Sequence, residues 1–504
     1  MSQVINRARY IFLIFCVFFS IYTLKFYEGS KVLFLVYNLT LIILVYNLTN
    51  YISSFFSFFL AFYIFMGFWF KFNLSLIFNN GYIFDSGMMV SNNIDNVLII
   101  SICIFLIIIL ANLISKYFNY NKFDTYSKIN LISKFYSRFK IYIIILFIIV
   151  FSYNGYINFS NKIYIKGLIF ENNYNFLSAN FIKWLLLFGL TTFSCFFLNK
   201  ETKTGNKFLI LFFLIAYFEL FISNTSMLSR SLILFGLPLI YAFIFYEEKK
   251  TKVLTSFILI TLIFISFSLI SIFLSNKLRA FHINSLKNEV KIEYEKLSSN
   301  EKDILNSEEK KNFDNSDKFN FQINEVLTRE KKADAKKITS FIIINRWVGI
   351  DSLINVSQSN KLSFKLFFES FSEKKSKIGN TFYENNFNLE NKKPTFYSGK
   401  IYVKGNTLPG LFSYLYYTGS IPFLLFTIFF IVLFFIYFEK IVFNLSKNNL
   451  FFVCFISHLI VNRIFSFGYA PKDTYLFFSS IFLSVLLIYF LETDRFDKIF
   501  INLK

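Results

Sequence analysis

The sequence predicts an all-α, polytopic membrane protein of about twelve transmembrane helices and one large extracytoplasmic loop. Three observations predict it. Hydrophobic residues make up 55% of the 504 residues, with a mean hydropathy of +0.52, and they gather in uncharged runs. A helix rises ~1.5 Å per residue, so roughly 20 apolar residues cross ~30 Å of hydrocarbon. Lys and Arg collect between alternate runs, as the positive-inside rule requires. Finally, one long hydrophilic stretch, 276–408, interrupts the series late in the chain.

The elements follow in order. Arg7 and Arg9 precede an apolar run at 10–24 with no small-residue cleavage site after it, which reads as a retained signal anchor. Further spans are expected at 32–48, 52–70 and 97–114. A basic loop with Lys116, Lys122, Lys128, Lys134, Arg138 and Lys140 follows. Next come 140–154 (the weakest run) and 176–198, then Lys200, Lys203 and Lys207. Spans at 208–223 and 230–246 precede Lys249, Lys250 and Lys252, and the run at 252–275 closes a first transmembrane block, 1–275. With strict alternation all three basic loops share the side of the N-terminus. That orientation puts both termini in the cytoplasm and the 276–408 loop outside. Loops beyond ~60 residues translocate largely regardless of charge, so the lysines of 276–408 are no obstacle. The last block, 409–504, holds spans at 410–438, 449–467 and 474–491. Pro422 in the first of these predicts either a short re-entrant piece followed by a helix or one kinked helix.

The outer loop has two parts. Residues 285–337 are densely charged and read as solvated, partly disordered helix. Residues 338–372 turn apolar around Arg346 and Asp351 and predict an amphipathic helix on the outer membrane surface. Five residues apart on one helix, those two charges would lie ~140° from each other, so each needs its own partner.

Composition excludes several classes. The 76 Phe and 31 Tyr accompany many Ile, Asn and Lys, the bias of AT-rich codons, and the Phe stripes read as lipid-facing surface. The net charge of +21 comes with no nucleic-acid-binding motif, so no nucleic acid is expected as a partner. Cys16, Cys103, Cys195 and Cys454 lie singly within apolar runs and predict neither disulfides nor a metal site. The sequence has no P-loop, dinucleotide fingerprint, zinc-protease motif or nucleophile elbow.

What remains are polar groups near the expected outer face, where an ionisable side chain implies a wet cavity or a partner. Only nine of the 52 basic residues are Arg, and only Arg offers a planar fork for phosphate oxygens. Arg230, Arg346 and Arg463 all fall at that face. The candidate proton acceptors are Glu219, His458 and Asp351; Glu219 lies near enough to Arg230 in sequence to pair with it instead.

Two stretches then carry a resemblance. Asn345-Arg346-Trp347-Val348-Gly349-Ile350-Asp351, and the re-entry Asn406-Thr407-Leu408-Pro409-Gly410-Leu411-Phe412-Ser413-Tyr414-Leu415-Tyr416-Tyr417-Thr418-Gly419-Ser420, resemble Wzy-type oligosaccharide repeat-unit polymerases, as does the layout of spans and late outer loop. The resemblance implies a fold like the GT-C-like membrane glycosyltransferases of the O-antigen polymerase and ligase kind. It implies a polyprenyl-pyrophosphate-linked oligosaccharide as donor and a hydroxyl of another lipid-linked repeat unit as acceptor. Arg346, Arg463 and Arg230 would then hold the pyrophosphate. Glu219, His458 or Asp351 would take the acceptor proton, and Trp347, Tyr414, Tyr416 and Tyr417 would line the sugar site. No cofactor or metal is expected, because the leaving group is already a lipid pyrophosphate. Membrane lipid and a chain-length regulator protein are the further partners implied. An O-antigen ligase would share donor and arginines but not acceptor. A flippase or secondary transporter would want inverted repeats and a midplane site, and no repeat of that scale is visible.

Overall fold

The computed structural model describes residues 2–49, 54–78, 94–117, 131–166, 168–170, 175–204, 209–229, 231–246, 253–296, 347–373, 381–387, 396–398, 401–403, 409–466 and 471–492. It is a bundle of apolar helices. Ten are long and apolar enough to cross a membrane, and two shorter apolar helices, Leu234–Phe245 and Leu450–Ser466, accompany them. Each coincides with one of the runs expected from hydropathy, including the weak run at 140–154, which lies inside the apolar stretch Phe135–Asn161.

The first half comprises α1 (Ser2–Thr23), α2 (Lys31–Leu48), α3 (Phe55–Ile64), α4 (Lys71–Phe78), α5 (Asp95–Tyr117), α6 (Leu131–Asn161), α7 (Phe176–Trp184), α8 (Leu190–Thr204), α9 (Leu209–Ser226), α10 (Leu232–Tyr246) and α11 (Val253–Lys296). Wide π-type turns join α3 to α4 at Phe65–Phe70 and α7 to α8 at Leu185–Gly189. Outward faces are apolar: Ile11, Ile14, Phe15 and Phe18 on α1, and Ile141, Tyr142, Ile145, Leu146 and Ile149 on α6, are exposed. Such stripes suit lipid rather than water.

Beyond α11 come α12 (Ile350–Ser357), α13 (Phe364–Phe371), α14 (Phe382–Phe387), α15 (Gly410–Leu415), α16 (Ile421–Leu445), α17 (Leu450–Ile460) and α18 (Pro471–Glu492). A third π-type turn, Val461–Ser466, extends α17. Of the two alternatives for 410–438, the chain takes the short piece followed by a helix. Gly419 turns left-handed at φ +70°, Ser420 caps α16 by accepting from Phe423 N, and Pro422 sits in the first turn of α16, where its missing N–H costs nothing.

The expected all-helical, polytopic architecture is what the structure shows. One expectation is corrected. The part of 338–372 that is described is not one helix on the membrane surface. It is α12 and α13, and every residue from Ile350 to Val356 is buried, Asp351 included. Asp351 tolerates burial because it has a cationic partner (below). The helical bundle carries one small addition. A three-stranded antiparallel sheet, in the order β1-β3-β2, joins β1 (Leu168–Phe170) to the hairpin of β2 (Phe396–Ser398) and β3 (Ile401–Val403). The β-branched and aromatic residues of β2 and β3 around Gly399-Lys400 favour a tight hairpin. The sheet ties the outer loop to the short connection after α6. The last span of the first block runs on unbroken past its expected end at 275 to Lys296.

The bundle has two polar ends. At one, Tyr136 and Lys140 of α6 bond Glu201 of α8 (2.8 and 2.6 Å), and Asn199 and Lys200 bond Glu492 of α18 (both 2.8 Å). There Glu439 of α16 caps α3 through Phe55 N and Phe56 N. At the other, the C-terminal ends of the apolar stretches of α6, α9, α11 and α17 converge.

Candidate functional site

That second end is built from short connections. Asn158, in the last turn of α6, accepts from Tyr164 N (2.9 Å) and donates to Ser226 O (2.9 Å), pinning the chain after α6 onto the end of α9. Lys166 N then bonds Met227 O (3.0 Å), and Arg279 of α11 donates to Lys166 O (2.6 Å). The Lys166 ammonium donates to Ser231 Oγ (2.7 Å) and lies 5.5 Å from the centre of the Phe235 ring. Ser231 Oγ donates to Asn224 Oδ1 (2.9 Å) and meets Ser229 Oγ at 2.5 Å. A cluster of hydroxyls around the Lys166 ammonium results.

Arg463 reaches the same place from the π-type turn after α17. Burial, and then the nearby Arg463 charge, push the Lys166 ammonium down to about 8. Among the described residues Arg463 is half-buried and has no hydrogen-bond or ion-pair partner. Two cations held close enough to disfavour each other, with a third anchored beside them, are stabilised by an anion between them. Arg230 lies outside the described residues; its chain neighbours Ser229 and Ser231 are both in this cluster.

A second group adjoins. Asn462, next to Arg463, donates to the Tyr63 hydroxyl of α3. That leaves the Tyr63 proton for His458 Nε2, 3.0 Å away. His458 is buried against Phe59, and its Nδ1 has no partner among the described residues. Tyr63 and Phe62 also pack on Trp347, at 6.2 and 5.8 Å between ring centres. Arg346, one residue earlier, lies outside the described residues.

The remaining expected residues are placed as follows. Asp351 forms a buried ion pair with Lys71 of α4 (2.8 Å), which also donates to Trp347 O (2.9 Å). It therefore fixes the segment that bears Trp347. Glu219 lies seven residues, ~10 Å, inside the end of α9. It is wholly buried beside Ser223, which donates to its Oε1. Tyr414 and Tyr417 are buried in packing. The Tyr414 hydroxyl accepts from Ser370 Oγ (3.0 Å), and the Tyr417 ring lies 4.6 Å from that of Phe387. Trp347 and Tyr416 are half-buried, so part of each ring stays accessible.

Lys166, Ser231, Arg279, Tyr63 and Asn462 were not singled out from sequence. Arg279 carried a usable signal, being another rare Arg at the expected outer face. Tyr63 carried none within an aromatic run. No protein-family model, curated protein or solved structure matches the chain, and its chemistry is therefore argued from the site.

Proposed function

We propose that the chain polymerises lipid-linked oligosaccharide repeat units of a surface polysaccharide, at the outer face of a bacterial inner membrane. The observation that supports this most is the pairing of an anion pocket with a proton-transfer pair at one end of the bundle. Lys166, Arg463 and Ser231 form the first, and His458 and Tyr63 the second. In the reaction the bond from the donor sugar's anomeric carbon to the pyrophosphate oxygen breaks. A bond from that carbon to the acceptor hydroxyl oxygen forms. Charge grows on the departing pyrophosphate, where fixed cations are most effective. Tyr63 takes the acceptor's proton as it passes its own to His458, so that the proton comes to rest on the imidazole, which becomes imidazolium until it is released. Trp347 and Tyr416 offer the half-buried aromatic faces that sugars stack on. Asp351, Tyr414 and Tyr417 hold these parts in place.

The test is the surface glycan of the host with the gene deleted and then restored as wild type, Arg463→Ala or Tyr63→Phe. Polymerisation requires that deletion remove the long-chain ladder and leave a core bearing a single repeat unit, with neither variant restoring the ladder. Loss of every repeat unit would overturn polymerisation. Lipid-linked glycan accumulating outside would then identify a ligase, and accumulation inside a flippase. An unchanged glycan profile would remove the glycan reading altogether.

A further inference from the structure

The two helices α12 and α13 differ in what they show to their surroundings. Every residue of α12 from Ile350 to Val356 is buried, whereas α13 turns three phenylalanines outward. Phe364, Phe368 and Phe371 are 47%, 65% and 43% exposed. At 3.6 residues per turn they form one stripe ~60° wide. Lys365 and Glu369, both exposed, lie along one flank of the stripe. Leu366, Phe367 and Ser370 are buried on the side toward the protein. Eight residues are too few to hold a helix in isolation, so packing must hold this one. Ser363 caps it by accepting from Leu366 N (3.1 Å), and the Ser363 N–H donates to Tyr417 O (2.9 Å). Ser370 Oγ donates to the Tyr414 hydroxyl (3.0 Å). Thus α13 is fastened to α15 and the turn after it, while its aromatic stripe faces away from both.

The depth of that stripe follows from α16. Phe364 and Phe367 pack on Phe423, in the first turn of α16, at 5.4 and 5.5 Å between ring centres. Phe426 and Phe430, one and two turns further into the span, are exposed on the same side of α16. The apolar stripe of α13 therefore continues the lipid-facing stripe of α16. The α16 span has 25 residues, or ~37 Å, against ~30 Å of hydrocarbon. Its first turn consequently lies at the boundary between acyl chains and headgroups. An apolar stripe flanked by charges at that depth is the pattern of a helix lying in the interface. In water the same stripe would be an exposed aromatic patch.

We propose that α13 docks into the lipid interface, with Phe364, Phe368 and Phe371 among the upper acyl chains and Lys365 and Glu369 in the headgroup water. The docking moors α15 and the half-buried Tyr416 at a fixed depth in the membrane. It rests on the fold and not on the glycosyl-transfer reading. The test uses the purified full-length chain in lipid nanodiscs, with a nitroxide label on Phe368→Cys or on Lys365→Cys. Wild type treated in the same way supplies the background from the native cysteines. Relaxation of each label by oxygen, which concentrates among acyl chains, is compared with relaxation by a water-soluble nickel chelate. Both positions are exposed, so each variant should run as a single species on size exclusion. The label at 368 is expected to respond severalfold more to oxygen than to nickel, and the label at 365 the other way. A label at 368 more open to nickel would place the stripe in water and overturn the proposal. So would a label at 368 shielded from both reagents, which would mean that another part of the chain or a second copy covers the stripe. The same balance of responses at 365 and 368 would remove the interfacial orientation and overturn it as well.

Discussion

At the scale of single residues, the anion pocket makes a pH prediction with a definite sign. The Lys166 ammonium sits at about 8, lowered by burial and by Arg463. A bound pyrophosphate would favour its charged form and raise that value. Affinity for the anion should therefore be full below pH 8 and fall as pH rises above it. The expected loss is about tenfold between pH 7 and pH 9 if the bound lysine stays charged throughout. Lys166→Arg should bind with a flat profile over that range, since arginine does not deprotonate there. Titration of the purified chain with inorganic pyrophosphate at several pH values, read by calorimetry, checks both. This residue was hard to see in the sequence for a physical reason. Lys is abundant here, and nothing local distinguishes Lys166 until Asn158 and Met227 fold its connection onto α9. Tyr414 and Tyr417 were misleading in the opposite way. An aromatic ring that stacks on a sugar and one that packs on Phe387 have the same sequence signature, and only burial separates them.

At the scale of elements, the segment bearing Trp347 is held against the α3–α4 turn by two contacts of different kinds. One is the buried pair of Lys71 and Asp351. Removing one member leaves a buried charge alone, so Lys71→Met should destabilise by about 3–5 kcal/mol. Adding Asp351→Asn should recover most of that, because the stranded charge is gone; unfolding midpoints of the single and double variants decide it. The other contact is backbone on backbone. A Cβ on Gly67 would fall 2.3 Å from Val348 O, and one on Gly349 would fall 2.2 Å from Gly67 O. Gly67→Ala should push the 347–349 chain off the turn and abolish the glycan ladder. Since the clash is confined to one contact, the variant should still insert and run as a single species on size exclusion. The spans were legible because hydrocarbon thickness imposes a long apolar run on each. The capping chemistry of Ser420 and Pro422 was likewise local. The segment 338–372 was not legible, because its apolar pattern fits either a surface helix or short helices buried in the protein. The choice falls to Lys71, some 280 residues away.

At the scale of the whole molecule, alternation of helices is visible as two polar ends. Glu201 and Glu492 clusters mark one end, and Lys166, Ser231 and Arg463 mark the other. Sequence charge assigns the first to the cytoplasm, since Lys200, Lys203 and the basic loop before α6 lie there. The proposed chemistry depends on that assignment, because its lipid-linked substrates and product would stand outside. Two exposed lysines on opposite ends make the assignment testable. Lys361 lies between α12 and α13, and Lys447 in the turn between α16 and α17. The four native cysteines lie in apolar spans, three of them buried, so they give little background. A membrane-impermeant maleimide added to intact spheroplasts should label Lys361→Cys and leave Lys447→Cys untouched until the membrane is permeabilised. The reverse pattern would place the anion pocket in the cytoplasm, where nucleotide-linked rather than polyprenyl-linked donors are the expected phosphoanions, and the polymerisation reading would fall with it.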